Sequence, residues 1–151
     1  MIETEVRGLA ALQRKKEQVV RDLHGGPLLD AMRDCTLWVA NDAKRLAPVD
    51  VGRLRASLTP EVRPHGNDVW GIVGSNVTYA PYVETGTRPH WPPLSAVETW
   101  ARRHGLTAFV VARAIARRGT KAVHYLERAF RQNEGRIVDR IGKAVKEILD
   151  K

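Results

Sequence analysis

The sequence predicts an α+β fold in which long N- and C-terminal helices pack around a small antiparallel sheet, with two short helices inserted before the C-terminal helix. Three observations predict it. Apolar residues recur at helical spacing near both ends of the chain. Between them, two short stretches alternate with period two on either side of a turn signal. Glycine and proline punctuate the remainder, so helices and strands occupy separate regions of the chain. At 151 residues the chain is long enough for one domain with its own core. It divides into a helical arm (1–26), a helix, hairpin and loop (27–94), and a basic helical part (95–151).

Residues 2–23 place Ile2, Val6, Leu9, Leu12, Val19 and Leu23 near helical spacing, with mixed charges such as Glu17 and Arg21 on the other side. "HGGP" breaks this segment, because two glycines and a proline continue a helix at high cost. Pro27 suits the first turn of a second helix. That helix runs to about Ala47 on a stripe of Leu28, Met32, Cys35, Val39, Ala43 and Leu46, and Pro48 ends it.

Leu54, Ala56 and Leu58, then Val69, Gly71 and Val73, carry the period-two signal around "HGND". They predict a hairpin of roughly 54–63 with 69–77, with Pro60 at an edge or bulge. Two strands alone are marginal in water, so this sheet must pack on a helix or gain strands elsewhere. "YAPYVETGTRPHWPP" (79–93) then reads as a stiff aromatic loop, since its four prolines defeat helix and central strand alike.

"PLSAVETWARRHG" predicts a short helix with Ser95 and Glu98 as a capping box and Gly105 as the stop. "LTAFVVARAIARRG" predicts another, capped by Thr107 and ended by Gly119. From Lys121 to about Leu149 a long helix follows, on a stripe of Val123, Leu126, Phe130, Ile137, Ile141, Val145 and Ile148. Gly135 and Gly142 within it are mild defects or points of close packing.

The net charge of +8 is unevenly distributed: residues 95–151 hold thirteen Lys/Arg against six Asp/Glu, while the first two thirds nearly balance. Arg102, Arg103, Arg113, Arg117, Arg118 and Lys121 form a basic run without an acid, which suits an anionic partner such as nucleic acid or an acidic protein face. No apolar run approaches the roughly 20 residues of a membrane helix. The opening "MIETEVRGLAALQRKKE" lacks the pattern of a secretory signal. The single cysteine, Cys35, precludes a disulfide within the chain and suits a reducing compartment.

Catalytic signatures are absent from the sequence. The five histidines lie 14 or more residues apart, without the spacing of a metal site, and glycine never forms a phosphate-cradling motif. Asp50 and Glu84 are conceivable as an acid/base pair. Each also has a structural role open to it: Asp50 in an Asx-turn, and Glu84 as an acceptor from loop amides or an arginine. The expectation is a protein that is not an enzyme and uses neither metal nor cofactor.

Three stretches taken together resemble a known family: "AKRLAPVDVGRLRASL" (43–58), "VGSNVTYAPYVETGT" (73–87) and "IARRGTKAVHYLERAF" (115–130). Their order and spacing are similar to the gene-product-ten-like proteins of tailed bacteriophages, small head–tail joining, neck or tail-completion proteins. Val51, Thr85 and the pair His124-Tyr125 are departures from the family's usual residues. The resemblance implies a structural virion protein, made in the host bacterial cytoplasm and resident in the neck or tail. It further implies a homo-oligomeric, hexameric ring that contacts neck and tail proteins of the head-closure, tail-terminator or tail-tube type.

Within that frame Pro48, Asp50, Gly52, Arg53 and Leu54 are the turn motif. Tyr79, Tyr82, Glu84, Gly86, Thr87 and Trp91 are the candidate subunit-contact loop, because a prestiffened segment loses little entropy on docking and aromatics supply interface area. A loop folded back over its own hairpin is the competing expectation. The basic run faces either an acidic neighbour or packaged DNA, and a non-specific DNA-binding accessory protein is the alternative function.

Overall fold

The computed structural model describes residues 13–18, 21, 26–65 and 68–150. Residues 13–18 and 21 are helical; the rest of the helix predicted over 2–23 lies outside the described residues. The remaining elements are α1 (Gly26–Leu46), α2 (Arg53–Ser57), β1 (Leu58–His65), β2 (Asp68–Ser75), α3 (Ala80–Thr85), α4 (Leu94–Arg103), α5 (Ala108–Arg118) and α6 (Tyr125–Leu149). The architecture is α+β as predicted: a two-stranded antiparallel sheet and two long helices, with a pair of short helices before the last.

α1 is the central element. It packs along α6 on one side and beneath both strands on another. Small residues fill much of this interior: Ala31, Ala40 and Ala43 of α1 and Ala129 and Ala144 of α6 are fully buried. Polar ties fix the register. Asn133 donates from Nδ2 to Asp42 Oδ2 at 2.6 Å and to the Ala129 carbonyl at 2.9 Å. Arg140 Nε donates to Asp34 Oδ2 at 2.9 Å, and the Arg136 guanidinium lies 3.6 Å from the Trp38 ring centre. The core continues from the C-terminal half of α1 through Leu54, Leu58, Val77 and Ala80 to Tyr125 at the start of α6. Leu58 and Tyr125 are its largest fully buried side chains.

Several predicted boundaries are corrected. Residues 53–57 form the short helix α2, and β1 starts only at Leu58. "RLRAS" satisfies alternation and a single helical turn equally well; the Ala56 N–H donates to the Gly52 carbonyl at 2.9 Å, as in a helix, and Leu54 is buried. The hairpin therefore pairs 58–65 with 68–75, Leu58 facing Ser75 and His65 facing Asp68. Residues 80–85, within the predicted loop, are the helix α3: Pro81 sits in its first turn, where the missing N–H costs nothing, and Gly86 ends it.

α4 starts at Leu94, with Pro93 before it, and makes no side-chain cap, so the Ser95–Glu98 capping box does not form. α5 conforms to expectation, with the Thr107 hydroxyl accepting from the Val110 N–H at 3.4 Å and Gly119 at the C-terminal cap. α6 begins at Tyr125, four residues later than predicted. Its buried residues are Tyr125, Ala129, Asn133, Ala144 and Ile148; of the predicted stripe Ile148 is buried and Leu126 and Ile137 are partly buried against the core, whereas Phe130 is 51% exposed. Gly135 and Gly142 are not close-packing points, because a Cβ there meets nothing within 4 Å.

Candidate functional site

The segment 79–94 has two sides with different chemistry. Its inner side is fastened to the strand-like stretch 119–124 that leads into α6. The Thr87 N–H donates to the Thr120 carbonyl at 3.1 Å, and the Thr120 N–H returns to the Thr87 carbonyl at 3.2 Å and to Thr87 Oγ1 at 3.0 Å. Val123 and His124 donate to the carbonyls of Val83 and Glu84, both at 3.0 Å. The two backbones cross so closely that side chains are excluded. A Cβ on Gly119 would lie 1.9 Å from the Thr87 carbonyl oxygen, and one on Gly86 would lie 2.5 Å from that of Thr120. Both glycines also hold positive φ, 69° and 71°, a region that L side chains enter at a cost.

Glu84 completes this inner side. Its Oε2 accepts from the Leu126 N–H at 2.9 Å and its Oε1 from the Glu127 N–H at 3.0 Å. A carboxylate thus satisfies two of the orphan donors at the start of α6 and faces the positive end of that helix. Sequence reasoning assigned Glu84 an acceptor role but could not find these partners, which lie 42 and 43 positions further on. Beneath it Tyr125 is fully buried, and its hydroxyl has no hydrogen-bond partner among the described residues. Burial, with the charge of Glu84 second, pushes its pKa up.

Glu84, His124 and Glu127 bring their donor atoms within 4.8 Å of one another. Their lone pairs are already engaged. Both Glu84 oxygens accept backbone N–H bonds, while Glu127 meets His124 Nδ1 at 3.0 Å and Arg131 at 2.6 Å. The cluster is arranged as a helix start rather than as a set of free ligands.

The outer side is aromatic and open. Tyr82 is 60% exposed and Trp91 52%, and Tyr79 is also exposed. Trp91 meets Phe109 of α5 edge-on, with ring centres 5.7 Å apart, so the segment continues into the α4–α5 hairpin. That hairpin buries little of its own apolar content. Its buried residues are Ala101 in α4 and Ala112 in α5, while Leu94, Trp100, Leu106, Phe109 and Val110 are exposed. An open groove of about 690 Å³ lies between the two regions, with Tyr79, Tyr82, Pro92, Val97, Ile115 and Val123 among its walls. The loop does not lie free: Ala80 and Val83 pack into the core that holds Leu58 and Val73 of the hairpin. It is pinned to the approach to α6 and turns its rings outward.

The basic residues Arg102, Arg103, Arg113, Arg117, Arg118 and Lys121 are all exposed on or beside this hairpin. Arg103 is engaged: its guanidinium forms a two-pronged pair with Asp50 across 53 positions. Asp50 therefore works as an anchor for α4 rather than through the expected Asx-turn. With Glu84 capping α6, the two carboxylates serve different partners. The rest of the turn motif is structural as well: Gly52 starts α2 with φ 79°, Arg53 opens it, Leu54 enters the core and Pro48 follows α1.

Among the described residues no helix is long and apolar enough to cross a membrane. No curated protein and no solved structure matches the chain. A family model does match, over residues 11–86, which takes in α1, α2, the hairpin and α3; its description is "Bacteriophage HK97-gp10, putative tail-component". Two of the three stretches that carry the resemblance, 43–58 and 73–87, fall essentially within the match, whereas α4, α5 and α6 lie beyond it. This chain belongs to the HK97-gp10-like family of bacteriophage tail components.

Proposed function

We propose that this protein is a structural component of the head–tail connector, neck or tail-completion ring of a tailed phage or prophage, working by protein–protein contact and not by catalysis. One observation carries the reading. The aromatic side of 79–94 and the α4–α5 hairpin hold large apolar side chains in the open, while alanines fill the hairpin's interior. A contiguous apolar surface of this kind, rimmed by charge, is the mark of a surface that another protein covers. Tyr79, Tyr82 and Trp91 are its anchors, presented on a segment whose glycine crossing and helix cap hold it rigid before contact. Its neighbours are further copies in a closed, hexameric ring, and the head-closure, tail-terminator or tail-tube proteins stacked on that ring in the virion.

The test is the double variant Tyr82→Ala/Trp91→Ala. Loss of particle assembly with the subunit's unfolding midpoint unchanged supports the reading. Assembly that continues, or a subunit whose unfolding midpoint falls sharply, overturns it.

Non-specific DNA binding through the basic run is the second reading. Its side chains are exposed, but they surround apolar rings, which suits an acidic-rimmed protein face better than a phosphate backbone. A salt series separates the two. A steep fall of DNA affinity with salt favours phosphate contact, and no binding at low salt removes it.

A further inference from the structure

α6 has an outer face that its own subunit leaves uncovered. Its buried residues Ala129, Asn133, Ala144 and Ile148 look toward α1 and the core. At about 100° per residue, the opposite side of the helix carries Gly135, Val138, Gly142 and Leu149, with half-buried Val145 at its margin. Val138 is 65% exposed and Leu149 58%. The two glycines have no role inside the subunit. A Cβ on either would meet nothing within 4 Å, and neither holds a positive φ. Each costs the helix about 1 kcal/mol relative to alanine.

The positions 135, 138, 142, 145 and 149 advance by alternate steps of three and four. That spacing is the one by which two helices interlock side chains along a shared seam. Glycine in such a seam lets the partner helix approach more closely.

Charge selects both the partner and its direction. Asp139 and Lys146 flank the seam on one side, and neither enters an ion pair among the described residues. A second α6 running the opposite way can set Val138 against Leu149 and Gly142 against Val145. Each glycine then faces a valine, and Asp139 of each copy lies beside Lys146 of the other. The alternative arrangements are poorer. Sliding one helix by seven residues brings the Asp139 side chains of the two copies together. A parallel pair opposes Glu134 to Asp139 across the seam and stacks glycine on glycine.

We infer that two copies of this protein pair antiparallel through the outer face of α6, with Val138, Gly142, Val145 and Leu149 as the seam and reciprocal Asp139–Lys146 pairs on its flank. The contact is isologous and relates only two chains, so it goes beyond the head-to-tail ring and does not depend on it. Residues 138–149 span roughly 18 Å of helix, a small contact that makes the pair reversible.

Crosslinking tests direction and register together. In the full chain carrying Val138→Cys and Leu149→Cys, the two sites lie roughly 16 Å apart along one helix and cannot join within it. Mild oxidation is expected to link position 138 of one copy to position 149 of another, identified by peptide mapping under non-reducing conditions. Links of 138 to 138 and 149 to 149, or no link between copies, overturn the inference. A charge exchange supplies the second test. Lys146→Asp is expected to raise about tenfold the concentration at which copies pair, read by sedimentation, and adding Asp139→Lys is expected to restore it. Pairing that is indifferent to Lys146→Asp, or that the double variant fails to restore, overturns the inference. A ring without the 138–149 link overturns the pair and leaves the ring reading intact.

Discussion

Glu84, Gly119 and Tyr125 show how single residues build the junction from which the contact segment projects. Glu84→Ala strips the start of α6 of a charged double cap and is expected to cost about 1–2 kcal/mol, read from urea unfolding. Gly119→Ala drives a methyl into the Thr87 carbonyl at a positive-φ position, and its cost exceeds about 3 kcal/mol. The soluble yield of folded protein checks it. Tyr125 has a pKa held above its ordinary value by burial first and by Glu84 second. A raised acid is bound more tightly as its neutral form. The stability it contributes is therefore complete below the unfolded value of about 10 and is lost as pH rises from there through the folded value. Tyr125→Phe, which also removes a hydroxyl without a partner, is expected to match or exceed the parent near neutral pH and to flatten that alkaline loss in denaturant titrations. The type of each of these residues was legible in the sequence. Their partners were not, because the Thr87–Thr120 and Glu84–Leu126 contacts join positions that no local pattern relates.

Elements follow the sequence where one local signal governs them and depart from it where two compete. Thr107 and Gly119 bound α5 as predicted, because cap and stop are local chemistry. α2 was missed because five residues of alternating character fit a turn of helix as well as a strand. α3 was missed because proline breaks helices except in the first turn, where Pro81 stands. On α6 the apolar stripe was seen in part as the core-facing side: Ile148 is buried and Leu126 and Ile137 pack against the core, but the most buried positions also include Ala129, Asn133 and Ala144, which the stripe left out, and Phe130 is exposed. The α4–α5 hairpin makes the clearest prediction at this scale. Replacing Phe109 and Val110 by serine removes exposed apolar area and should leave subunit stability within about 0.5 kcal/mol. Self-association, followed by sedimentation across a concentration series, should fall sharply. A subunit that unfolds instead would show that the hairpin's apolar residues serve its own fold.

At the scale of the molecule, the well-packed part and the unsatisfied part occupy different regions. α1, α6 and the junction beneath Glu84 form a closed core, while α4, α5 and the outer side of 79–94 leave aromatic and aliphatic side chains uncovered. The family match covers α1, α2, the hairpin and α3 but not α6, and it ends at Gly86, where the open region begins to be built. The fold class and the aromatic segment were both legible from residue pattern; the division between a fastened inner side and an open outer side required three dimensions. Hydroxyl-radical footprinting of the free subunit against the assembled neck or tail tests this division most directly. Oxidation at Tyr82, Trp91, Trp100 and Phe109 is expected to drop strongly on assembly, and equal oxidation of all four in both states would contradict the account.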